Sequence, residues 1–194
     1  MNIKKLSIII PAYNEEKTIH LILNKIIEVK LINNIEKEII IINDCSKDNT
    51  EQAIQSYIQS HLTENITYLK HEVNKGKGAA LHTGIQHATG EYTIIQDADL
   101  EYDPQEYNDL LKPVVNAFAE VVYGSRFMGS KPHRILFYWH TVGNKFLTRL
   151  SNMFTNLNLT DMETCYKLFN STLVKKLNLK EKRFGFEPEV TAKI

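Results

Sequence analysis

Tyr92-Thr93-Ile94-Ile95-Gln96-Asp97-Ala98-Asp99-Leu100-Glu101 is the stretch whose reading decides the fold. Its first half is apolar and rich in β-branched residues, as in a strand buried on both faces. Its second half delivers carboxylates to that strand's carboxyl end. Residues two apart in extended chain point the same way, so Asp97 and Asp99 can converge, with Glu101 close behind. Converging carboxylates repel one another unless a cation or a proton lies between them. A hard dication with oxygen ligands, magnesium or manganese, is the natural occupant, and it keeps positions for substrate phosphates. The same residues also suit a solvated acidic turn, with Asp103 as the cap and Pro104 as the first residue of the next helix. The rest of the chain has to decide between the two.

Working outward, the same kind of run recurs. Leu6-Ser7-Ile8-Ile9-Ile10 is stopped by Pro11, and Glu38-Ile39-Ile40-Ile41-Ile42 runs into a polar turn. Both read as strands of a parallel sheet. Ile66 to Leu69 and Glu120 to Tyr123 are shorter strands. Between them, Ile19, Ile22, Leu23, Ile26 and Ile27 recur at helical spacing, as do Ala53, Ile54, Tyr57 and Ile58. Asn14 is placed to cap the first of these helices, with Glu15 and Glu16 in its first turn, and Asp44 or Ser46 to cap the second. Further helices are expected from Ala79 to about Ala88 and from Pro104 to Phe118. Strand and helix alternate, so the expected fold is α/β, a mainly parallel central sheet flanked by helices. In such sheets ligands bind beyond the carboxyl ends of the strands. The Pro11 loop, the Asp44 turn, the loop Asn74-Lys75-Gly76-Lys77-Gly78 and the Asp97 turn all fall there.

After Gly124-Ser125-Arg126-Phe127 the alternation fails. Lys131, His133 and Arg134 form a basic loop. Ile135 to Phe154 reads as one helix with Trp139, Val142, Phe146, Leu150 and Met153 along one face and Lys145 and Arg149 beside it. That face can pack on the sheet, or it can lie on a bilayer surface, which favours cations beside an apolar stripe. Thr164 to Phe169 can form a last strand and Ser171 to Leu177 a short helix.

Composition sets bounds. The chain has 194 residues, enough for one domain with a sizeable core. Lysines plus arginines equal aspartates plus glutamates, 23 each, so no global field draws it to nucleic acid. Cys45 and Cys165 show no metal or redox spacing and fit a reducing compartment. The apolar stretch before Pro11 is too short for a signal peptide, and no run approaches the ~20 apolar residues of a membrane span. The chain ends inside a helical pattern with no stop signal, as a truncated chain does. No Gly-x-x-x-x-Gly-Lys-Ser/Thr and no Gly-x-Gly-x-x-Gly is present, which argues against a Walker-type ATPase and a dinucleotide oxidoreductase. The two glycines at 76 and 78 suit either a phosphate cradle or a tight turn. Arg126 can reach a diphosphate with its planar fork or stay solvated.

Taken together, Pro11-Ala-Tyr-Asn-Glu-Glu16, Asn43-Asp44-Cys45-Ser46-Lys47-Asp48-Asn49-Thr50, Asn74 to Gly78, Asp97 to Pro104 and Gly124 to Phe127 resemble family 2 glycosyltransferases in order and spacing. The resemblance covers nearly the whole chain and points to the dolichyl-phosphate mannosyltransferase and polyprenyl-phosphate sugar transferase branch. It implies a GT-A nucleotide-sugar fold in a single domain, donor-binding to about residue 126 and acceptor-side from about 127 to 194. By analogy Pro11, Tyr13, Glu15, Ile42 and Asp44 frame the base and ribose. Asp97, Ala98, Asp99 and Glu101 hold a Mg2+ or Mn2+ ion and the diphosphate. Arg126 meets the donor or acceptor phosphate, with Lys75 or Lys77 adding charge. Family members commonly carry Gln at position 101, Asp at 43, and Gly or Ser at 45. Asp161 to Phe169 resembles the acceptor-side segment, which usually has Gly where Cys165 stands. Lys182 and Phe184 to Glu187 correspond loosely to a region that closes over the donor.

The implied reaction moves a sugar, with inversion, from a GDP- or UDP-sugar to a polyprenyl or dolichyl phosphate at the cytoplasmic face of a membrane. The alternative acceptor is a saccharide hydroxyl, for which Asp161 or Glu163 is the candidate base. Two other classes compete. A nucleotidyltransferase carries a glycine-rich first loop, which Pro11 to Glu15 is not. A non-catalytic nucleotide-sugar binding module differs only by failing to turn over the donor.

Overall fold

The computed structural model describes residues 3–117, 119–127 and 137–194. Lys131, His133, Arg134 and the expected helix start at Ile135 lie outside the described residues. Strands β1 (Lys5–Ala12), β2 (Glu36–Asn43), β3 (Ile66–Lys70), β4 (Tyr92–Ile95), β5 (Val121–Tyr123) and β6 (Lys167–Asn170) form a single six-stranded sheet in the order β3-β2-β1-β4-β6-β5. The pairs β1/β2, β2/β3 and β1/β4 are parallel. β6 runs antiparallel to both neighbours and is inserted between β4 and β5. The strand order reverses at β1, with β2 and β3 on one side and β4 on the other. A parallel sheet opens a crevice at such a reversal, beyond the carboxyl ends of the two strands.

Alternation explains why the central runs are apolar throughout. Ile8, Ile10, Ile39, Ile41 and Ile94 face α1 (Ile19–Glu28), α2 (Thr50–Ser60) and α4 (Tyr107–Ala117), packing with Ile22, Ile26, Ile54 and Leu111. Ile9, Ile40, Ile42 and Ile95 face the other way. They pack with Leu81 and Ile85 of α3 (Lys77–His87), Val174 of α6 (Ser171–Lys176), and Phe186 and Val190 of α7 (Phe186–Lys193). Lys37 closes the end of α1, its ammonium donating to the carbonyls of Ile26, Ile27 and Val29.

Three local expectations are corrected. Asn14 does not cap α1. It sits at φ +59°, tying two loops together by donating its N–H to Ser46 Oγ and accepting from the Lys47 N–H, and α1 begins only at Ile19. Neither Asp44 nor Ser46 caps α2, because Asp48 takes the Thr50 N–H at 3.1 Å. Asp103 does cap as expected, accepting from the Gln105 N–H, but the turn it opens is a 3-10 segment, Pro104–Glu106, ahead of α4.

The placement left open for the apolar stripe concerns α5 (Tyr138–Thr155). Its apolar face does not pack on the sheet. Trp139 is 77% exposed and Phe146 65% exposed, and Val142, Leu150 and Met153 are exposed as well. The face turned inward is polar. Asn144 donates to Asp161, the buried Thr148 accepts from the Met162 N–H, and Asn152 exchanges hydrogen bonds with the Leu159 backbone. Among the described residues no helix is long and apolar enough to cross a membrane.

Candidate active site

The crevice at the β1/β4 reversal is a cleft of ≈ 390 Å³. The end of β1 supplies Pro11, Ala12 and Tyr13, and the loop behind it supplies Glu15. The end of β2 supplies Asp44, the end of β4 leads to Asp97, Ala98 and Asp99, and the lysine-glycine loop adds Asn74, Gly76 and Lys77. Ala80 of α3 and, from the far end of the chain, Arg183 and Phe184 complete the lining.

Asp44 organises the floor. Its buried carboxylate accepts from the Lys75 N–H at 2.9 Å and the Gly76 N–H at 2.7 Å, and it lies 2.6 Å from His71 Nδ1. His71 Nε2 in turn meets Thr83 Oγ1 at 2.9 Å. One side chain at the end of β2 therefore fixes the loop that carries Lys77. The glycines in that loop serve a close approach. Gly76 sits at φ +92°, and a Cβ there would lie 2.6 Å from the Lys182 carbonyl oxygen. A Cβ on Gly78 would lie 2.5 Å from the Glu181 carbonyl oxygen, and the Ala79 N–H donates to Lys182 O. Segment 181–183 is thus pressed on the loop, which brings Arg183 and Phe184 to the cleft.

Lys77 spans both oxygens of Asp97, at 2.8 and 2.9 Å. It also donates to Cys165 Sγ at 2.9 Å, and Glu187 lies 3.9 Å away. Burial works against its charge, but the carboxylates of Asp97 and Glu187 outweigh it and hold the ammonium well above the ordinary lysine range. Burial pushes the Cys165 thiol up to about 12, with Asp97 adding to the shift. Glu15, which accepts from the Thr18 hydroxyl, is raised first by burial and then by Asp99 and Asp97. Three carboxylates thus face one space.

Glu101 does not join them. The extended chain ends at Ile95, a turn follows at Ala98 and Asp99 with Leu100 at φ +65°, and the Glu101 side chain lies 3.9 Å from Arg126 instead. Its own N–H donates to Asp99 Oδ1. Arg126 is held by Asp161 through two parallel bonds, Nε to Oδ2 at 2.8 Å and Nη2 to Oδ1 at 2.9 Å, with its backbone N–H also on Oδ2. Burial alone would raise Asp161, but Arg126, aided by Asn144, holds it below the usual carboxylate range. Glu163, two residues on, is raised by burial and by Glu187.

Of the residues expected around the donor, Pro11, Tyr13, Glu15, Asp44, Asp97, Ala98 and Asp99 line the cleft. Ile42 faces α3 in the core and Lys75 points to solvent, so the lysine that enters is Lys77. Arg126 and Asp161 form their own pair outside the lining. Asn74 and Phe184 belong to the loop and the donor-closing segment already expected at this end of the sheet, whereas Arg183 was not anticipated, and the Gly-x-Gly spacing at 76 and 78 is the local signal of the approach that brings it in.

Among the described residues no three His, Cys, Asp or Glu side chains form a ready-made metal cage. Two carboxylates at a phosphate-sized cleft fit a different arrangement, in which a hard dication takes one or two protein carboxylates and fills its remaining positions from substrate phosphates and water.

Residues 7–177 match the sequence profile of Glycosyl transferase family 2. This chain belongs to that family. The family 2 chain is 31% identical to a UDP-N-acetylglucosamine–dolichyl-phosphate N-acetylglucosaminyltransferase of Methanococcus voltae, covering 93% of this chain and 76% of that protein. It is 32% identical to a dolichyl-phosphate beta-glucosyltransferase of Trichomonas vaginalis, covering 95% of this chain and 59% of that one. Its fold is GT-A-like. A mannosyltransferase of Pyrobaculum calidifontis, solved with GDP-Man and Mn2+, superposes with a TM-score of 0.69 at 21% identity over 98% of this chain and 51% of its own. Glucosyl-3-phosphoglycerate synthase of Mycobacterium tuberculosis, solved with Mn2+, UDP and phosphoglyceric acid, gives 0.71 at 18% identity over 95% and 62%. The family 2 chain therefore spans between half and three quarters of these proteins' lengths.

Proposed function

We propose that the chain carries the catalytic part of an inverting, metal-dependent glycosyltransferase that moves a hexose from a nucleoside diphosphate sugar to a polyprenyl or dolichyl phosphate. The observation that carries this reading is the cleft at the β1/β4 reversal, where Glu15, Asp97 and Asp99 face one space beside Lys77. Sequence relatives named for dolichyl-phosphate transfer support the acceptor class. Two fold neighbours solved with Mn2+ support the cofactor class. In this reading residues 1–126 are the donor-binding half of one domain and the remainder is the acceptor-side half.

Tyr13 and Phe184 are the aromatic groups at the cleft and take the base or the sugar by stacking. Asp97 and Asp99 would hold Mg2+ or Mn2+, which supplies positive charge to the departing diphosphate. Lys77 and Arg183 add charge at the same place, the kind of contribution that weighs most in such sites. Asp44 acts by fixing the loop that carries Lys77. Asp161 acts by fixing Arg126, since its acceptor positions are occupied by Arg126 and Asn144 and its proton affinity is lowered. A guanidinium so fixed has the planar fork that orients a phosphate. The nucleophile is an oxygen of the acceptor phosphate. It is already ionised near neutrality, its second pKa being about 6, so no base has to take a proton.

The outward apolar face of α5 supports a seat on the cytoplasmic surface of a membrane, where aromatic and aliphatic side chains enter the headgroup boundary and Lys145 and Arg149 meet anionic lipid. A second reading, transfer to a saccharide hydroxyl, is favoured by one observation. Glu163 is half-buried with raised proton affinity, as a base requires. Incubation with radiolabelled UDP-glucose, UDP-N-acetylglucosamine or GDP-mannose and dolichyl phosphate separates the two. Label in the organic-soluble lipid supports the proposal, and label only in soluble saccharide supports the second reading.

A further inference from the structure

The side chain that holds Asp97 is a cation belonging to the protein. Lys77 spans both oxygens of the carboxylate expected to bind the dication, at 2.8 and 2.9 Å. Its position is built from three parts of the chain. Asp97 follows β4, Cys165 Sγ at 2.9 Å precedes β6, and Glu187 at 3.9 Å lies in the first turn of α7. Lys77 itself opens α3, on the loop that Asp44 pins through the Lys75 and Gly76 N–H groups. The ammonium is therefore placed with care, at the spot where a metal ion would also have to be.

We infer that Lys77 serves as a resident counter-cation that keeps Asp97 from holding a dication until a nucleoside diphosphate arrives. The inference rests on the glycosyltransferase reading above. Two cations cannot share one carboxylate without repelling each other. In the donor-free protein Asp97 is satisfied by Lys77, and the carboxylates that remain, Asp99 and Glu15, already accept from the Glu101 N–H and the Thr18 hydroxyl and offer a hard ion little. A diphosphate brings enough negative charge for both cations. Lys77 can then turn one N–H to a phosphate oxygen, leaving Asp97 and Asp99 as the residues that would hold the ion. On this reading the protein would take up the dication together with the nucleotide.

Loss of the free Mn2+ electron paramagnetic resonance signal, taken as the excess over the same Mn2+ and nucleotide without protein, reads the prediction. Wild type, Lys77→Arg and Lys77→Gln are titrated with Mn2+ alone, with UDP and with GDP. Wild type and Lys77→Arg should take up Mn2+ only with nucleotide. Lys77→Gln should take it up without nucleotide at least about tenfold more tightly than wild type, once the competing charge is gone. The double variant Lys77→Gln/Asp97→Asn should lose that gain. Unchanged nucleotide-free affinity in a folded Lys77→Gln overturns the role of Lys77 while leaving the metal site in place. Should that variant not fold, wild type binding Mn2+ as tightly without nucleotide as with it overturns the inference on its own. No uptake by wild type with either nucleotide overturns the metal reading of the cleft, and this inference with it.

Discussion

Arg126 and Asp161 face each other fork to fork, their two parallel bonds measuring 2.8 and 2.9 Å, with the carboxylate fully buried. The pair links the end of β5 to the segment that leads into β6. Asp161→Ala should cost about 3 kcal/mol, because it leaves a partly buried guanidinium without its partner. The effect also carries a pH signature. The folded-state affinity of Asp161 for protons is lowered, so its stabilising contribution is complete above the ordinary Asp pKa of about 3.9 and fades as pH falls below it. Thermal melts of wild type and Asp161→Asn should therefore differ most near neutrality and converge in acid. A gap that persists unchanged into acid would contradict this account of the pair.

Asp44 should matter through the loop it holds. Asp44→Asn keeps the size but turns an amide N–H toward a backbone N–H, at a cost of about 1–3 kcal/mol. Amide exchange at Lys75 and Gly76 should accelerate, and UDP or GDP affinity should fall about tenfold. Unchanged exchange at these two amides would show that the loop is fixed by other contacts.

Gly78→Ala and Gly143→Ala form a matched pair. The first places a methyl 2.5 Å from the Glu181 carbonyl oxygen, and the second meets nothing within 4 Å. Gly143→Ala lies inside α5 and should stabilise by about 0.5–1 kcal/mol. Gly78→Ala should destabilise and push segment 181–183, with Arg183 and Phe184, away from the cleft. Denaturant melts give the signs, and tryptic cleavage after Lys182 or Arg183 reports the displacement.

The apolar strip on α5 can be tested without touching the cleft. Phe146→Glu and Met153→Glu alter exposed side chains, so stability should change by no more than about 0.5 kcal/mol. Co-sedimentation with vesicles of phosphatidylcholine and phosphatidylglycerol should drop several-fold. Equal sedimentation of variant and wild type would leave this face without a membrane role.

The strands of the fold were legible because their information is local. Ile8-Ile9-Ile10 and Ile39 to Ile42 are buried on both faces, and a continuous β-branched run is the direct imprint of that burial. The position of the cleft followed from the same alternation, since strand ends are where such a sheet binds. What escaped the sequence depends on residues far apart. Lys77 meets Cys165 across 88 positions, and Arg183 reaches the cleft only because segment 181–183 presses on Gly76 and Gly78. The orientation of α5 stayed open for another reason. An apolar stripe marks a surface that avoids water without saying what covers it, and here the polar side turned inward because Asn144, Thr148 and Asn152 have partners there. Glu101 was misplaced because the chain leaves the extended state after Ile95 and turns through Ala98 and Asp99 to Leu100 at φ +65°, so alternation no longer sets where its side chain points.

The most direct measurement of the central claim is calorimetric titration of UDP and GDP into wild type and Asp99→Ala, each with Mn2+ and with chelator. The account predicts that Mn2+ tightens binding of one nucleotide to wild type at least about tenfold, and that Asp99→Ala, still folded, loses that gain. Equal affinity in chelator and in Mn2+, or a gain that survives in Asp99→Ala, would contradict a dication held by Asp97 and Asp99 beside the diphosphate.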